Sequence, residues 1–159
     1  MRLIFIISVL LVGYTVRAQE ERDTILKRCP IYITDTVSSN NFFIESLPAT
    51  LKVERIKGDL AVTVQQRDQF FTIFFEERKL STGKYTIRPN PKKKSEVIAK
   101  YSFRSADQVS YINVSNGTIE STYDKDKKFW HLKVNGMIAN LVERSVTWYR
   151  VRADLYLKD

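Results

Sequence analysis

The sequence of residues 49–76 is ATLKVERIKGDLAVTVQQRDQFFTIFFE, three apolar-rich runs separated by two short polar segments. In the middle run an apolar residue stands at every second position from Leu60 to Val64, which is the period of a β-strand with one buried face. Lys57-Gly58-Asp59 supplies the Gly and Asp that tight hairpins use, and Arg67-Asp68 marks the next reversal. This stretch therefore predicts three strands joined by short turns.

The third run, Gln69–Glu76, is apolar on both of its faces. Three side chains point one way and two point the other: Phe71, Ile73 and Phe75 against Phe70 and Phe74. A strand with one wet face would not carry five such residues, so we expect this strand to be central or to have its second face covered.

Strand-like runs continue along the rest of the chain: Ile31–Ile33, Lys84–Arg88, Val97–Arg104, Val109–Val114, Thr118–Tyr123, Phe129–Ala139 and Tyr149–Leu157. Phe42-Phe43-Ile44 is expected to form a short edge strand. Asn116-Gly117 predicts a tight hairpin, and Asn135-Gly136 a bulge within a long strand. No segment has the pattern of an amphipathic helix. The expected fold is all-β, a jelly-roll-like antiparallel β-sandwich of about nine or ten strands, with a closed lipocalin-like barrel as the alternative.

The first 18 residues have the layout of a secretory signal peptide. Met1-Arg2 is followed by an apolar run from Leu3 to Val12, broken only by Ser8, and Val16-Arg17-Ala18 suits a cut before Gln19. The run is ~10 residues, half of a bilayer span; an uncleaved anchor is the alternative. We expect residues 1–18 to be a signal peptide, 19–28 a polar lead-in and 29–159 one β-sandwich domain, located in the periplasm or outside the cell.

The chain is basic after this segment is removed. The segment holds Arg2 and Arg17, so 24 of the 26 basic residues remain against 18 acidic ones, a net charge of +6. The sharpest cluster is Lys92-Lys93-Lys94, and with Lys84, Arg88, Lys100 and Arg104 it could form one patch for an anionic polysaccharide or lipid. A solvated loop is the alternative. Export and the lack of an RNA-binding aromatic motif argue against nucleic acid.

Cys29 is the single cysteine, so an internal disulfide is excluded. An inert, partly buried thiol is the favoured interpretation, and a homodimer linked through Cys29 is the alternative. Two consecutive glycosylation sequons start at Asn113 and Asn116, and they matter only if the host glycosylates exported chains.

Candidate catalytic groups are few. His131 is the single histidine and cannot build a multi-ligand zinc site; we expect a surface or cross-strand role. Asp124 and Asp126 alternate with lysines that would repel calcium, so a charge-balanced turn is expected. Glu76 and Glu77 are adjacent on a strand and point to opposite faces, which does not suit a glycosidase pair. The sequence predicts no metal site and no cofactor.

Trp148, Arg150 and Arg152 lie on one face of the last strand, where an arginine could stack on the indole or line a groove. A second packed face is the alternative. The function expected from these features is non-enzymatic binding or assembly in the cell envelope, with an unidentified partner such as an envelope protein. A lipocalin-like carrier of a small apolar ligand and a jelly-roll hydrolase are the two alternatives.

Residues 113–138, NVSNGTIESTYDKDKKFWHLKVNGMI, carry a resemblance. Two strands that end in a Gly-Thr hairpin and in Asp-Lys residues, followed by a third with a late glycine, resemble small exported β-sandwich proteins of unknown function common in the Bacteroidota. Ala18-Gln19 also looks like the signal-peptide end of that group. The match covers about a quarter of the mature chain. It implies a β-sandwich in the envelope and no catalytic residues. Many such proteins carry a lipidated cysteine at the cut, where this chain has Gln19.

Overall fold

The structure is a computed structural model that describes residues 22–142 and 145–158. The predicted signal peptide and its cut at Ala18-Gln19 lie outside the described residues. Eleven strands make up the described secondary structure: β1 Arg22–Leu26, β2 Ile31–Asp35, β3 Ala49–Ile56, β4 Asp59–Gln66, β5 Gln69–Phe75, β6 Gly83–Ile87, β7 Glu96–Ser105, β8 Gln108–Asn113, β9 Asn116–Asp124, β10 Phe129–Val142 and β11 Ser145–Lys158. Within these ranges, no helix is long and apolar enough to span a bilayer.

All eleven strands belong to one sheet. Its order is β1-β3-β4-β5-β7-β6-β9-β10-β11-β2, with β8 paired to β7 beside this path. The sheet is strongly curled into an open half-barrel. The all-β class is therefore confirmed, while two finer expectations are wrong. There are no two separate sheets as in a sandwich, and the barrel is not closed, because β1 and β2 end the order without pairing with each other. Strands with one buried face occur in a sandwich, in a closed barrel and in an open half-barrel. Only the long-range pairing of strands distinguishes the three architectures.

The three strands predicted in residues 49–76 are confirmed as β3, β4 and β5. The two-residue turn between β3 and β4 has positive φ at Lys57 (54°) and Gly58 (97°), as the hairpin turns that match strand twist require. β5 is central, between β4 and β7. Its second face is partly covered by cations, since Lys100 Nζ lies 4.7 Å from the centre of the Phe74 ring.

One strand pair makes the sheet mixed. β6 and β7 run parallel over a short overlap, in which Thr86 is opposite Glu96 and Ile87 is opposite Val97. The connecting residues 88–95 turn back on themselves, and the N–H of Thr86 donates to the carbonyl of Ser95 at 2.8 Å. An antiparallel sandwich therefore also fails as a description of the middle of the sheet, because a parallel neighbour needs a crossover that strand periodicity does not reveal.

The hairpin predicted at Asn116-Gly117 is absent. β8 pairs with β7, and β9 with β6 and β10, so these two residues are the first two of β9, where Gly117 is opposite Gly136. A Cβ built on Gly117 would lie 2.3 Å from the backbone oxygen of Asn135. Gly117 therefore allows β9 and β10 to approach each other closely and does not form a turn. The bulge predicted at Asn135-Gly136 is also wrong, since the β10–β11 register is continuous there.

Half of the predicted polar lead-in, Arg22–Leu26, is a strand. β1 pairs antiparallel with β3, and the Lys52 ammonium lies 3.5 Å from the Asp23 carboxylate across the pair. The predicted polar lead-in therefore contains an edge strand. Its polar composition fits that position, because an edge strand with charged side chains resists pairing with other chains.

The inner face of the curl forms the core, and residues 41–48 close one end of it; we call this segment the plug. Phe43 is 1% exposed and packs edge-on against Tyr101, with ring centres 5.9 Å apart. Gln66 is buried and exchanges two hydrogen bonds with the backbone of Ile44, each 2.8 Å long. The edge strand predicted at Phe42–Ile44 is therefore a packed loop held by side chains.

Candidate functional site

The end of the half-barrel opposite the plug is open. Along β3, the side chains that face the inside of the curl become steadily more accessible: Leu51 is buried, Val53 is half-buried and Arg55 is exposed. Strand alternation places all three on the same face. The core therefore ends in a mouth.

A cavity of about 490 Å³ occupies this mouth, and we call it the mouth cleft. It lies between β1, β3 and β4 on one side and β9, β10 and β11 on the other, with part of the β5–β6 connection over it. Its lining residues are Thr24, Leu51, Val53, Arg55, Leu60, Arg78, Lys79, Leu80, Tyr123, Trp130, Leu157 and Lys158. Its volume is within the ~300–1,000 Å³ typical of small-molecule sites.

The inner surface of the mouth cleft is apolar and partly aromatic. Trp130 on β10 is opposite Tyr123 of β9 and opposite Leu157 of β11, so these three side chains form one row across the sheet. The Trp130 and Tyr123 rings lie 4.9 Å apart, centre to centre. Facing them, Leu51 and Leu60 are almost fully buried. A ligand that entered the cleft would meet aromatic and aliphatic carbon on one side and aliphatic carbon on the other.

The rim of the mouth cleft is basic. Arg55, Arg78, Lys79 and Lys158 are all exposed at their positions around it. The Arg55 side chain donates a hydrogen bond from Nη1 to the backbone oxygen of Arg78, which ties β3 to the β5–β6 connection. That connection is also held from below, because the N–H of Ser81 donates to the Tyr85 hydroxyl at 2.9 Å. These two hydrogen bonds hold Arg55 and the β5–β6 connection, which carries Arg78 and Lys79, in place at the rim.

The predicted basic patch lies elsewhere. Lys84 and Arg88 are exposed on the outer face and end of β6, and Lys92, Lys93 and Lys94 are exposed in the β6–β7 connection. The N–H of Lys92 donates to a Glu96 carboxylate oxygen at 2.7 Å, and Lys84 is opposite Glu120. The five residues lie on β6 and in the connection that follows it, but acidic side chains are interspersed and none of the five lines the mouth cleft.

The predicted aromatic and arginine face is found on the outside of β11. Arg150 and Arg152 line a second, smaller cavity of about 280 Å³ together with Tyr32, Thr34, Asp35, Thr36 and Ser39. Trp148 is on the same outer face, 45% exposed, and is not among the residues that line this cavity. The Val37 N–H bonded to Asp35 lowers the pKa of that carboxyl, with the Ser38 contacts acting the same way. Arg150 and Arg152 therefore share this cavity with the Asp35 carboxylate and not with the Trp148 indole.

His131 has the cross-strand role that the sequence predicted. Its ring stacks on Tyr156, with ring centres 4.6 Å apart and planes 6° from parallel. Its Nε2 lies 3.0 Å from a carboxylate oxygen of Asp154. Asp124 receives two backbone N–H bonds inside its own turn, from Asp126 and Lys127. Within the described part of the chain, no three metal-ligating side chains come together.

Cys29 is 1% exposed and belongs to the core. Burial raises the pKa of its thiol, against a smaller opposing effect of the Ile31 backbone. A disulfide between two chains would require this side chain to leave the core. The two sequon asparagines differ in access, since Asn113 is half-buried at the end of β8 and Asn116 is exposed at the start of β9.

Sequence reasoning missed the rim of the mouth cleft. Arg55 had the inward position of its strand, and a charged residue at such a position indicates where a core meets solvent. Arg78 and Lys79 lie in the loop between β5 and β6, and the sequence does not show which strands a loop residue packs against. Trp130 shares the strand alternation of apolar residues such as Leu132, but nothing in the sequence places it in the same cavity as Leu60.

Comparison with known proteins gave no match among family models, curated proteins or solved structures. The resemblance carried by residues 113–138 therefore stays a prediction, and the mouth cleft must be interpreted from its own geometry.

Proposed function

We propose that this protein is a non-enzymatic binding protein of the cell envelope, and that it holds a small ligand with an apolar body in the mouth cleft. The observation that carries the proposal is the cavity of about 490 Å³ at the unplugged end of the half-barrel, with apolar side chains facing each other across it. Of the two binding hypotheses taken from the sequence, the geometry favours the carrier, although the barrel is open instead of lipocalin-like.

The opposite ends of the half-barrel support this choice. The plug fills one end with Phe42 and Phe43, and Phe42 packs against Tyr149 at 4.7 Å between ring centres. The mouth has no equivalent filling among the described residues, so apolar side chains such as Val53 and Leu80 remain half-buried there. Covering them with a ligand would remove further apolar surface from water, worth about 25 cal/mol per Å².

The lining of the mouth cleft also bears on the hydrolase alternative. A hydrolase using two acids needs both carboxylates to converge on one concave site. The twelve residues that line the cleft in the described structure include no Asp, Glu, His or Cys. Binding can therefore use the apolar and basic side chains that line the cleft, whereas hydrolysis would need acidic groups from outside this lining.

The two tryptophans of the chain provide a direct test. Trp130 lines the mouth cleft and Trp148 lies outside it on β11, so Trp148→Phe leaves an indole inside the cleft and Trp130→Phe leaves one outside. Titration with a neutral aliphatic ligand such as dodecanol should change the fluorescence of the Trp148→Phe variant alone. Equal responses of both variants, or no response of either, would contradict the proposal.

Native mass spectrometry of the protein recovered from its own host would add the identity of the ligand. An added mass on a chain that starts at Gln19 would support both the carrier role and export. A chain that starts at Met1 would contradict the predicted cleavage.

A further inference from the structure

The rim of the mouth cleft differs in charge from rows of the outer face where acidic and basic side chains alternate. Along one row of the outer face, for example, Lys84 is opposite Glu120, and Glu120 is opposite Lys133. Around the cleft, the four charged lining residues are all basic and none is acidic. Among the described residues, none of the four makes an ion pair with a carboxylate.

We propose that the mouth cleft binds a single-chain anionic amphiphile of the long-chain carboxylate class, with its chain between the apolar walls and its head at the basic rim. This inference rests on the proposed function and adds the chemistry of the ligand. A group of cations that forms no ion pair within the described chain, beside an apolar cavity, is complementary to a molecule that is apolar at one end and anionic at the other. The cavity is in the lower half of the small-molecule size range, which favours one chain over two.

Arg55 and Arg78 are the residues best placed to hold the head. The hydrogen bond from Arg55 to the Arg78 carbonyl uses one of five guanidinium N–H donors, so the group is held in position with donors to spare. A guanidinium can bind both oxygens of a carboxylate at once. Lys79 and Lys158 add positive charge on the adjacent rim, which attracts the anion without fixing its geometry.

The test compares three ligands of equal chain length on the Trp148→Phe protein, with Trp130 as the reporter. Dodecanoate should bind about tenfold more tightly than dodecanol at low salt, the effect expected of a charge-assisted hydrogen bond at a partly exposed site. Dodecyltrimethylammonium should bind more weakly than dodecanol. Raising the salt concentration should reduce the dodecanoate preference, because exposed charges are screened.

Charge-matched variants locate the effect. In the Arg78→Gln, Lys79→Gln variant, dodecanoate should bind no more tightly than dodecanol does to the same variant. Lys93→Gln with Lys94→Gln removes the same charge far from the cleft, and it should leave the preference intact. If both pairs reduce the preference equally, overall charge explains it and the inference is wrong. Equal binding of dodecanoate and dodecanol overturns the inference while the carrier function stands; no binding of any of the three ligands overturns the function itself.

Discussion

At the scale of single residues, position 117 requires glycine because of the neighbouring strand β10 and not because of a turn. Its φ is +154°, and a Cβ there would lie 2.6 Å from the Gly136 Cα as well as against the Asn135 oxygen. Two glycines that face each other let β9 and β10 approach closely, which any larger side chain would prevent.

We therefore expect Gly117→Ala to destabilise the protein strongly. Gly83 is a matched control, because its φ is +151° and a Cβ there meets nothing within 4 Å. Both variants carry the cost of an L side chain at that φ, and only Gly117→Ala adds a collision with backbone. The free energy of unfolding in urea should fall by about 1–3 kcal/mol more for Gly117→Ala than for Gly83→Ala. Equal losses would show that the contact is relieved by a small backbone shift.

Cys29 gives a pH dependence whose sign follows from its burial. Because burial raises the pKa of the thiol above its ordinary value of 9.0, the unfolded chain loses this proton at a lower pH than the folded chain. The stability contribution of Cys29 is therefore complete below pH 9.0 and falls as the pH rises through the folded-state pKa, by at most about 1.4 kcal/mol per pH unit.

The measurement is the difference in unfolding free energy between the wild type and Cys29→Ala. Titration of the tyrosines and lysines affects both proteins and cancels in this difference. We expect the difference to be constant at neutral pH and to fall in alkaline solution. A difference that does not change with pH would mean that the thiolate is accommodated in the folded state.

At the scale of elements, the plug shows how a loop without strands can be part of the core. Phe43 fills the end of the half-barrel, and Gln66 replaces the hydrogen bonds that a strand partner would have given to Ile44. The next residue, Ile44, is 45% exposed. Adjacent side chains of one segment are thus in opposite environments.

Phe43→Ala should therefore cost about 3–5 kcal/mol of unfolding free energy, whereas Ile44→Ala should cost about 0.5 kcal/mol or less. Urea denaturation monitored by circular dichroism measures both variants. The Gln66 hydrogen bonds reach the Ile44 backbone, so they survive both substitutions and do not contribute to the difference. A small loss for Phe43→Ala would mean that the plug is not part of the cooperative core.

Sequence patterns predicted local elements well where one face of a strand is dry. The strand at Tyr149–Leu157 was predicted correctly, as was the two-faced nature of β5. The Asn116-Gly117 turn was wrong because the same dipeptide suits both a tight turn and a close strand contact. β1 was missed because an edge strand needs no apolar alternation, and nothing in Arg22–Leu26 indicates its partner β3.

At the scale of the whole molecule, the number of sheets and the mouth cleft depend on pairings that no local pattern contains. β1 and β2 are consecutive in the chain, yet they lie at the two ends of the strand order. The chain therefore has to connect both edges of the sheet through residues 27–30, which favours a strong curl. The mouth cleft includes Thr24 from one edge strand and Leu157 from β11, next to the other edge, so it exists only because the sheet curls without closing.

If the cleft is the functional site, a bulky side chain at this opening should block it without disturbing the fold. Thr24 is exposed on β1 and lines the cleft, and tryptophan is favourable in strands. Thr24→Trp should abolish dodecanoate binding in a calorimetric titration while its midpoint of urea unfolding stays near that of the wild type. Thr122→Trp, at an exposed position on the outer side of β9, is the matched control and should bind normally. The entrance of the mouth cleft lies between the wall formed by β1 and β3 and the wall formed by β10 and β11, so a tryptophan at position 24 would obstruct it. Normal binding by Thr24→Trp would therefore place the ligand outside the mouth cleft.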